Sequence, residues 1–435
     1  MRVSLFVAAS CAAALPAHGQ ALDRRIADAV ARFAPAAIEQ RHHIHQHPEL
    51  GNGEVETAKL VAAHLRSLGF DEVRTGIAHT GVVGVLRGGR PGAVVAVRAD
   101  MDALPVTEAT DLPFRSTVRS TYGGQEVGVA HACGHDVHTA IQLGVASVLA
   151  SIRADLPGTV LFVFQPAEEG PPPGEEGGAA LMLKEGVFAS PRPAAIIGLH
   201  TVADMPVGKV GYTPGPALAA IDQFWITVKG RQSHGAAPHL SVDPVVMASQ
   251  LVLALQTIRS RNLPPLAPSV LTVGVIRGGT RFNIIPAEVQ LEGTVRTYDE
   301  EIRNTVQRRM REIVAGITAA DGGSYELTYQ RGSPATINDL ALTERMLPSL
   351  RRVLGDSNVV KIDPAMVSED FAHFANVVPG FYYRLGQVAP GTTSGDHHTP
   401  TYRADDSMIP IGMRVMATLL VDYLNGGQAV RRSGG

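Results

Sequence analysis

The segment His131-Ala-Cys-Gly-His-Asp136 puts a thiol, two imidazoles and a carboxylate within six residues. Elsewhere two glutamates stand side by side, Glu168 and Glu169. His200 follows one apolar run, and Asp100 and Asp102 follow another. Imidazole, thiolate and carboxylate together suit zinc, with manganese, cobalt or nickel as alternatives. A thiolate can bridge two ions. Adjacent glutamates leaving a strand cannot point the same way. One can therefore ligate while the other faces a water acidified by the cations and takes its proton. Such a site cleaves an acyl bond without a serine or cysteine nucleophile. A cysteine–histidine mechanism has no use for the paired glutamates. The chain has no Gly-x-Ser-x-Gly elbow and no Walker-type phosphate loop.

The elements that must position these groups follow from hydropathy. Residues 81–86, 93–98, 159–165 and 195–199 are nearly continuous hydrophobes, as in strands covered on both faces. Residues 22–47, 55–68 and 134–151 read as helices. The pattern is α/β with an at least partly parallel sheet. In such sheets ligands bind beyond the carboxyl ends of the strands. Asp100 and Asp102, Glu168 and Glu169, His200, and the Cys133 segment each sit just past a strand or just before a helix. Four loops thus bring Asp, Glu, His and Cys to one edge.

A different pattern occupies residues 219–331. Strand 223–230 precedes a helix capped by Asp243 with Pro244 in its first turn, ending near 259. Strands 269–277 and 288–296, helix 300–319 and strand 325–331 complete a β-α-β-β-α-β order, the ferredoxin-like signature. The expectation is one α/β mixed-sheet domain, residues 22–218 and 332–427, interrupted by an α+β insert. A helix is expected over 405–423 and a disordered tail over 428–435.

The chain has 435 residues, 45% of them hydrophobic and 18% charged, with a net charge of −3. This balance argues against nucleic acid as a partner. Residues 1–21 read as an export signal, with Arg2, an apolar stretch over 3–15, and Ala17-His18-Gly19 for cleavage. That predicts a periplasmic or secreted protein. Cleavage removes Cys11 and leaves Cys133 alone, unable to form an internal disulfide and suited to a metal. No later apolar run is long enough to span a bilayer as a helix.

The motifs Arg98-Ala-Asp-Met-Asp-Ala-Leu-Pro105, His131-Ala-Cys-Gly-His-Asp136, Gln165-Pro-Ala-Glu-Glu169 and Gly198-Leu-His200 resemble the amidohydrolase branch of the aminoacylase-type dinuclear metallopeptidases. That branch includes hippurate hydrolases and indole-acetyl-amino-acid hydrolases. His47-Pro-Glu-Leu50, Ser233-His-Gly-Ala-Ala-Pro-His239, Asn283-Ile-Ile-Pro286 and Ser368-Glu-Asp-Phe371 match as well, so the similarity runs from about Arg41 to Asp405.

The resemblance implies a metallopeptidase domain with a lid or dimerisation insert and two divalent ions per subunit. Cys133 would bridge the ions. His135, Glu169, His200 and a late histidine would complete the ligands. The family's His-x-Pro selects His398 over His397. Glu168 would be the general base, and Asp102 and Asp136 would orient ligands. His234 would reach a second subunit's site, with Asn283 beside it, so a homodimer or larger homo-oligomer is implied. One such donor to an oxyanion is worth about 3 kcal/mol.

Two features depart from the family. The loop Gly170-Pro-Pro-Pro-Gly-Glu-Glu-Gly-Gly178 is long, and Arg281 stands where many members have a small or apolar residue. Arg281 is a candidate contact for a substrate carboxylate. His138, one turn beyond His135, is expected to support or pack rather than ligate. The cluster His42, His43, His45 and His47 is expected to be structural, because helix neighbours two apart do not face each other. Glu369 is a candidate for lining the pocket or capping the helix after it.

The expected reaction is hydrolysis of an N-acyl or N-aroyl amino acid, a small-molecule amide, to a carboxylic acid and an amino acid. Aroyl-phenylalanine amides such as ochratoxin fall in this class. The alternatives are a metallo-exopeptidase on dipeptides or peptidoglycan fragments, and a non-catalytic binding protein. The paired glutamates speak against the last.

Overall fold

The structure, a computed structural model, describes residues 17–430. Most of the expected export signal and the last five residues of the expected tail lie outside the described residues. The chain opens with α1 (Ala17–Gln46), α2 (Val55–Ser67), β1 (Glu72–Ile77), β2 (Gly81–Arg87) and β3 (Arg90–Asp100). A hairpin of β4 (Arg119–Tyr122) and β5 (Gln125–Gly128) leads to α3 (His135–Ser151), β6 (Pro157–Gln165) and α4 (Gly178–Lys184). Then come β7 (Ala195–Pro206), β8 (Val210–Tyr212) and β9 (Gly215–Leu218).

The next stretch holds β10 (Ala220–Lys229), β11 (Ser233–His234), α5 (Pro244–Thr257) and β12 (Ser269–Gly278). It continues with β13 (Ile284–Ile285), β14 (Glu288–Thr297), α6 (Glu300–Ala320) and β15 (Ser324–Arg331). The chain returns through β16 (Thr336–Asn338), α7 (Leu340–Leu354), β17 (Val359–Lys361), α8 (Phe371–Ala375), β18 (Gly380–Val388) and α9 (Met408–Val430). The last helix runs beyond 423 and takes in residues 428–430, part of the expected tail. Two glycines, Gly426 and Gly427, weaken a helix without blocking its hydrogen bonds. No helix among the described residues is long and apolar enough to cross a membrane.

Eight strands form a mixed sheet in the order β1-β2-β6-β3-β7-β18-β8-β17. Its centre is parallel: β3 pairs with β6 and β7, and β18 with β7. The near-continuous apolar runs have the expected cause. Val82, Val95, Val97, Phe162 and Phe164 pack on one face with Ile26, Val61, Ile141 and Leu420 of α1, α2, α3 and α9. The alternate residues Val83, Val85, Ala96, Leu161 and Val163 pack on the other with Met182 of α4 and Phe371 and Phe374 of α8. Period-2 side chains thus meet apolar layers on both sides.

The second sheet, in the order β12-β14-β10-β15, is antiparallel and packs against α5 and α6 through Phe224, Met247, Leu251, Val306 and Met310. Asp243 and Asp299 cap those helices, each accepting two backbone N–H bonds. The chain leaves and re-enters the large unit through β9 and β16, which pair antiparallel with Thr336 opposite Leu218.

Candidate metal centre and active site

The start of α3, the exit of β6 and strand β7 bring their side chains to one region. Gly134, with φ of +92°, divides Cys133 from His135. A Cβ there would lie 2.4 Å from Tyr402 Oη and 2.5 Å from Thr201 Oγ1, so only glycine fits. Cys133 is left in the loop, and His135 starts α3. At the exit of β6, Ala167 has φ of +50°, and its N–H is held by the buried Glu54 carboxylate at 2.8 Å. This bend separates the two glutamates. Glu168 Oε1 lies 3.4 Å from the Asp370 N–H, while Glu169 lies toward His398. His200 sits inside β7 rather than beyond its end, because pairing with β18 continues to Val388 opposite Pro206.

The ligand atoms of Cys133, His135 and His200 lie within 4.8 Å of one another. The same holds for Cys133, Glu169 and His398, and for His135, Glu168 and Glu169. The late histidines both belong to this neighbourhood. His398 Nε2 is 3.0 Å from Glu169 Oε1, and His397 Nδ1 is 3.6 Å from Cys133 Sγ. His398 takes a left-handed φ of +65°, and its N–H bonds to Ala132 O, tying the late loop to the thiol loop.

Asp102 holds two of these residues in place. Its Oδ1 lies 3.1 Å from His135 Nδ1, and its Oδ2 accepts the Glu169 N–H at 2.9 Å. His135 Nε2 is buried and makes no hydrogen bond among the described residues. An imidazole held through one nitrogen with the other unengaged is the usual preparation for a metal. The charges agree. Burial and the Glu369 and Glu169 carboxylates push Glu168 well above the usual carboxylate range. Burial with Glu169 and Glu168 likewise pushes the Cys133 thiol up. A carboxyl and a thiol both pushed up by burial and neighbouring carboxylates suit divalent cations, so the residues present fit a metal centre.

The other sequence candidates lie elsewhere. Asp136 touches none of the proposed ligands. Its Oδ2 takes Arg41 Nε at 2.8 Å and faces His45 Nδ1 at 2.9 Å, because the first turn of α3 points it at α1 rather than at the cluster. His138 is occupied at both nitrogens, Nδ1 by Asp100 Oδ1 at 2.6 Å and Nε2 by the Thr201 N–H at 3.0 Å. His42 faces Asp406, and His47 Nδ1 faces His43 O. Glu369 both accepts the Phe371 N–H and lines the cavity described next. His234, Asn283 and Arg281 belong to the insert. His234 is exposed, with its Nδ1 accepting the Ala236 N–H, and Asn283 O accepts the Gly235 N–H. Arg281 is exposed, 5.9 Å above the Phe282 ring. None of the three lines the cavity.

That cavity holds about 580 Å³ and opens beside Cys133, Glu168, His200 and His397. Its far wall comes from the insert, with Ile221, Gln223, Arg296 and Gln330. Behind Glu168 lies a network absent from the sequence reading. Arg98 donates to Gln165 at 2.7 Å, Asp100 at 2.5 Å, Glu369 at 2.8 Å and Asp370 at 3.0 Å, and Tyr382 donates to Glu369. The available signal was Arg98 itself, a charge inside an apolar strand run, which must be paired when buried.

Residues 96–422 match the model of peptidase family M20/M25/M40. The chain is 38% identical over 371 residues to an N-acetyl-L-cysteine deacetylase of Bacillus subtilis, covering 85% of this chain and 83% of that one. It is 43% identical over 301 residues to an N-acyl-L-amino acid amidohydrolase of Geobacillus stearothermophilus, covering 69% and 77%. A dinuclear metal-binding peptidase of the M20 family from Bacillus subtilis superposes with a TM-score of 0.76 at 34% identity, over 91% of this chain and 99% of that one. With the family's pattern spanning most of the chain and a buried thiol, imidazole and carboxylate cluster at its centre, the protein belongs to peptidase family M20/M25/M40 and is a metal-dependent amide hydrolase.

Proposed function

We propose that the protein hydrolyses N-acyl or N-aroyl amino acids to a carboxylic acid and a free amino acid, using two divalent ions per chain. The observation that carries this reading is the placement of Glu168 and the donor cluster on one wall of a single cavity. Leu218, Ile221 and Val367 line the same cavity and offer apolar surface to an acyl or aroyl group. The names of the two amide-hydrolysing relatives support the substrate class.

Divalent ions bound there polarise the scissile carbonyl and acidify water. Cys133, His135, Glu169, His200 and His398 would hold them, with His397 beside the thiol. Zinc suits this donor set first, then manganese, cobalt or nickel. Glu168 takes the proton of the attacking water and delivers it to the leaving nitrogen. Asp102 keeps His135 and Glu169 oriented. His234 and Asn283 lie on the insert and would serve the site of a second copy in a homodimer or larger homo-oligomer, as donors to the developing oxyanion. Hippurate-like substrates and aroyl-phenylalanine amides such as ochratoxin fall within the reading. Export to the periplasm or medium rests on residues 1–21.

The test is metal analysis combined with a substrate panel: hippurate, N-acetyl amino acids, aroyl-phenylalanine amides and free-amine dipeptides, each with and without chelator. The expected result is two ions per chain and chelator-sensitive release of amino acid from the acylated substrates. Faster cleavage of the dipeptides would favour an exopeptidase. Folded protein with neither metal nor turnover would overturn the reading.

A further inference from the structure

One buried acid outside the donor cluster is tied to the turn that carries the two glutamates. Glu54 is fully buried and stands just before α2, in the cap position of that helix. Its side chain caps nothing there. That task falls to Glu49, whose two carboxylate oxygens accept the Glu56 and Thr57 N–H groups at 3.0 and 2.9 Å. A carboxyl group taken out of water must find hydrogen bonds elsewhere. Glu54 Oε1 accepts the Ala167 N–H at 2.8 Å, and Oε2 accepts the Thr80 hydroxyl at 2.5 Å.

Ala167 immediately precedes Glu168, and its φ of +50° is one that residues other than glycine seldom adopt. Such backbone persists only where its surroundings hold it. Residues 49–54 supply the hold. A Cβ on Gly51 would lie 2.8 Å from Gly170 O, so this segment also packs on the far end of the turn, where the Gly170 N–H bonds back to Ala167 O at 3.3 Å. The same segment reaches a second site loop, because Glu49 O accepts the Ala103 N–H at 2.8 Å, one residue beyond Asp102.

The two glutamates are not anchored alike. Glu169 has its own ties, its N–H on Asp102 at 2.9 Å and its carboxylate 3.0 Å from His398. The Glu168 carboxylate makes a single long hydrogen bond among the described residues, to the Asp370 N–H at 3.4 Å. Its direction therefore depends most on the bend at Ala167. Resting on the reading of Glu168 as the general base, we propose that Glu54 is a positioning residue, which through the Ala167 N–H keeps Glu168 on the cavity wall and turned away from Glu169.

The experiment compares Glu54→Ala, Glu54→Gln, Glu54→Asp and Thr80→Val with wild type in the metal-loaded enzyme. Glu54→Ala removes both bonds and should lower kcat by about 100-fold, the cost of a group misplaced by about 1 Å. KM and metal content should stay near those of wild type, because Glu169 keeps its own ties. Glu54→Gln offers Ala167 a carbonyl oxygen and Thr80 an amide N–H, so kcat should return to within about 5-fold of wild type. Thr80→Val spares the Ala167 bond and should lower stability in urea without lowering kcat. Amide exchange over residues 167–170, read by mass spectrometry, should speed up in Glu54→Ala and not in Thr80→Val.

Wild-type kcat in folded Glu54→Ala would overturn the proposal. So would an equal loss in Glu54→Gln, or loss of metal in step with activity. Glu54→Asp, one methylene shorter, makes the same test if the alanine variant does not fold: kcat should fall, and an unchanged kcat would overturn the proposal. The exchange measurement separates this proposal from the reading it rests on. If Glu168→Gln keeps its turnover, the base reading fails, and faster exchange in Glu54→Ala would still leave Glu54 as the holder of the bend. Unchanged exchange in Glu54→Ala beside an inactive Glu168→Gln would sink the Glu54 proposal alone.

Discussion

The start of α3 serves two clusters built from the same residue types. On one side His135 joins Cys133, Glu168, Glu169 and His200. On the other, Asp136 joins Arg41 and His45, with Glu108 and Asp406 beyond them. The second cluster largely answers its own charge. Arg41 spans Asp136 at 2.8 Å and Asp406 at 2.6 Å, and His45 lies between Asp136 and Glu108. Arg41, together with His45, holds the Asp136 carboxyl well below its usual range despite burial. The first cluster does not. Burial with Glu369 and Glu169 pushes Glu168 up, burial with Glu169 and Glu168 pushes the Cys133 thiol up, and His135 Nε2 makes no hydrogen bond among the described residues. Histidines and carboxylates in contact therefore mark a metal centre only where their charge is left unmatched. Where an arginine bonds the carboxylate itself, as Arg41 bonds Asp136, the same types brace the fold.

That contrast yields ordered predictions. Glu168→Gln should lower turnover by about 10³-fold and keep the metal content of wild type, because the amide preserves shape and removes the base. Loss of metal together with activity would move Glu168 among the ligands. Arg41→Met acts on the other cluster and leaves Asp136 with His45 as its remaining partner. It should cost about 4 kcal/mol of stability, read by urea unfolding, with metal content per folded chain unchanged. If metal is lost in proportion, the two clusters are one unit.

His45 gives the smallest effect and a pH signature. Burial opposes its charge, but Asp136 and Glu108 lift its pKa to about 9 from an ordinary value of 6.5. The charged imidazole therefore stabilises the fold fully below pH 6.5, and the contribution fades as pH rises through 9. It amounts to about 3 kcal/mol at most. Unfolding of wild type and His45→Gln measured from pH 6 to 10 should converge at the alkaline end. Parallel curves across that range would remove His45 from the account.

Much of the fold was legible because its signals are local. The apolar runs became β2, β3, β6 and β7, and the insert's strands and helices fall within a few residues of expectation. β1 escaped because its residues are exposed or half-buried and carry no apolar period. The hairpin β4–β5, likewise mostly exposed, escaped for the same reason. As candidates, Glu168 and Glu169 were readable from a strand exit, Cys133 and His135 from their place before a helix, His200 from its apolar run, and the late histidine only from the resemblance. Asp136 was misplaced because sequence adjacency to His135 does not fix direction. Successive helix positions point about 100° apart.

Arg98 on β3 lies far along the chain from Glu369 and Tyr382, and no spacing rule joins it to them. Composition and motif by themselves determined the candidate donors, the α/β class and the presence of an insert, because hydropathy periods and ligand chemistry are written residue by residue. Only the tertiary structure decided which histidines and carboxylates pair with an arginine and which gather at the cavity. Those are properties of what surrounds a side chain, and burial, strand register and long-range pairing set them.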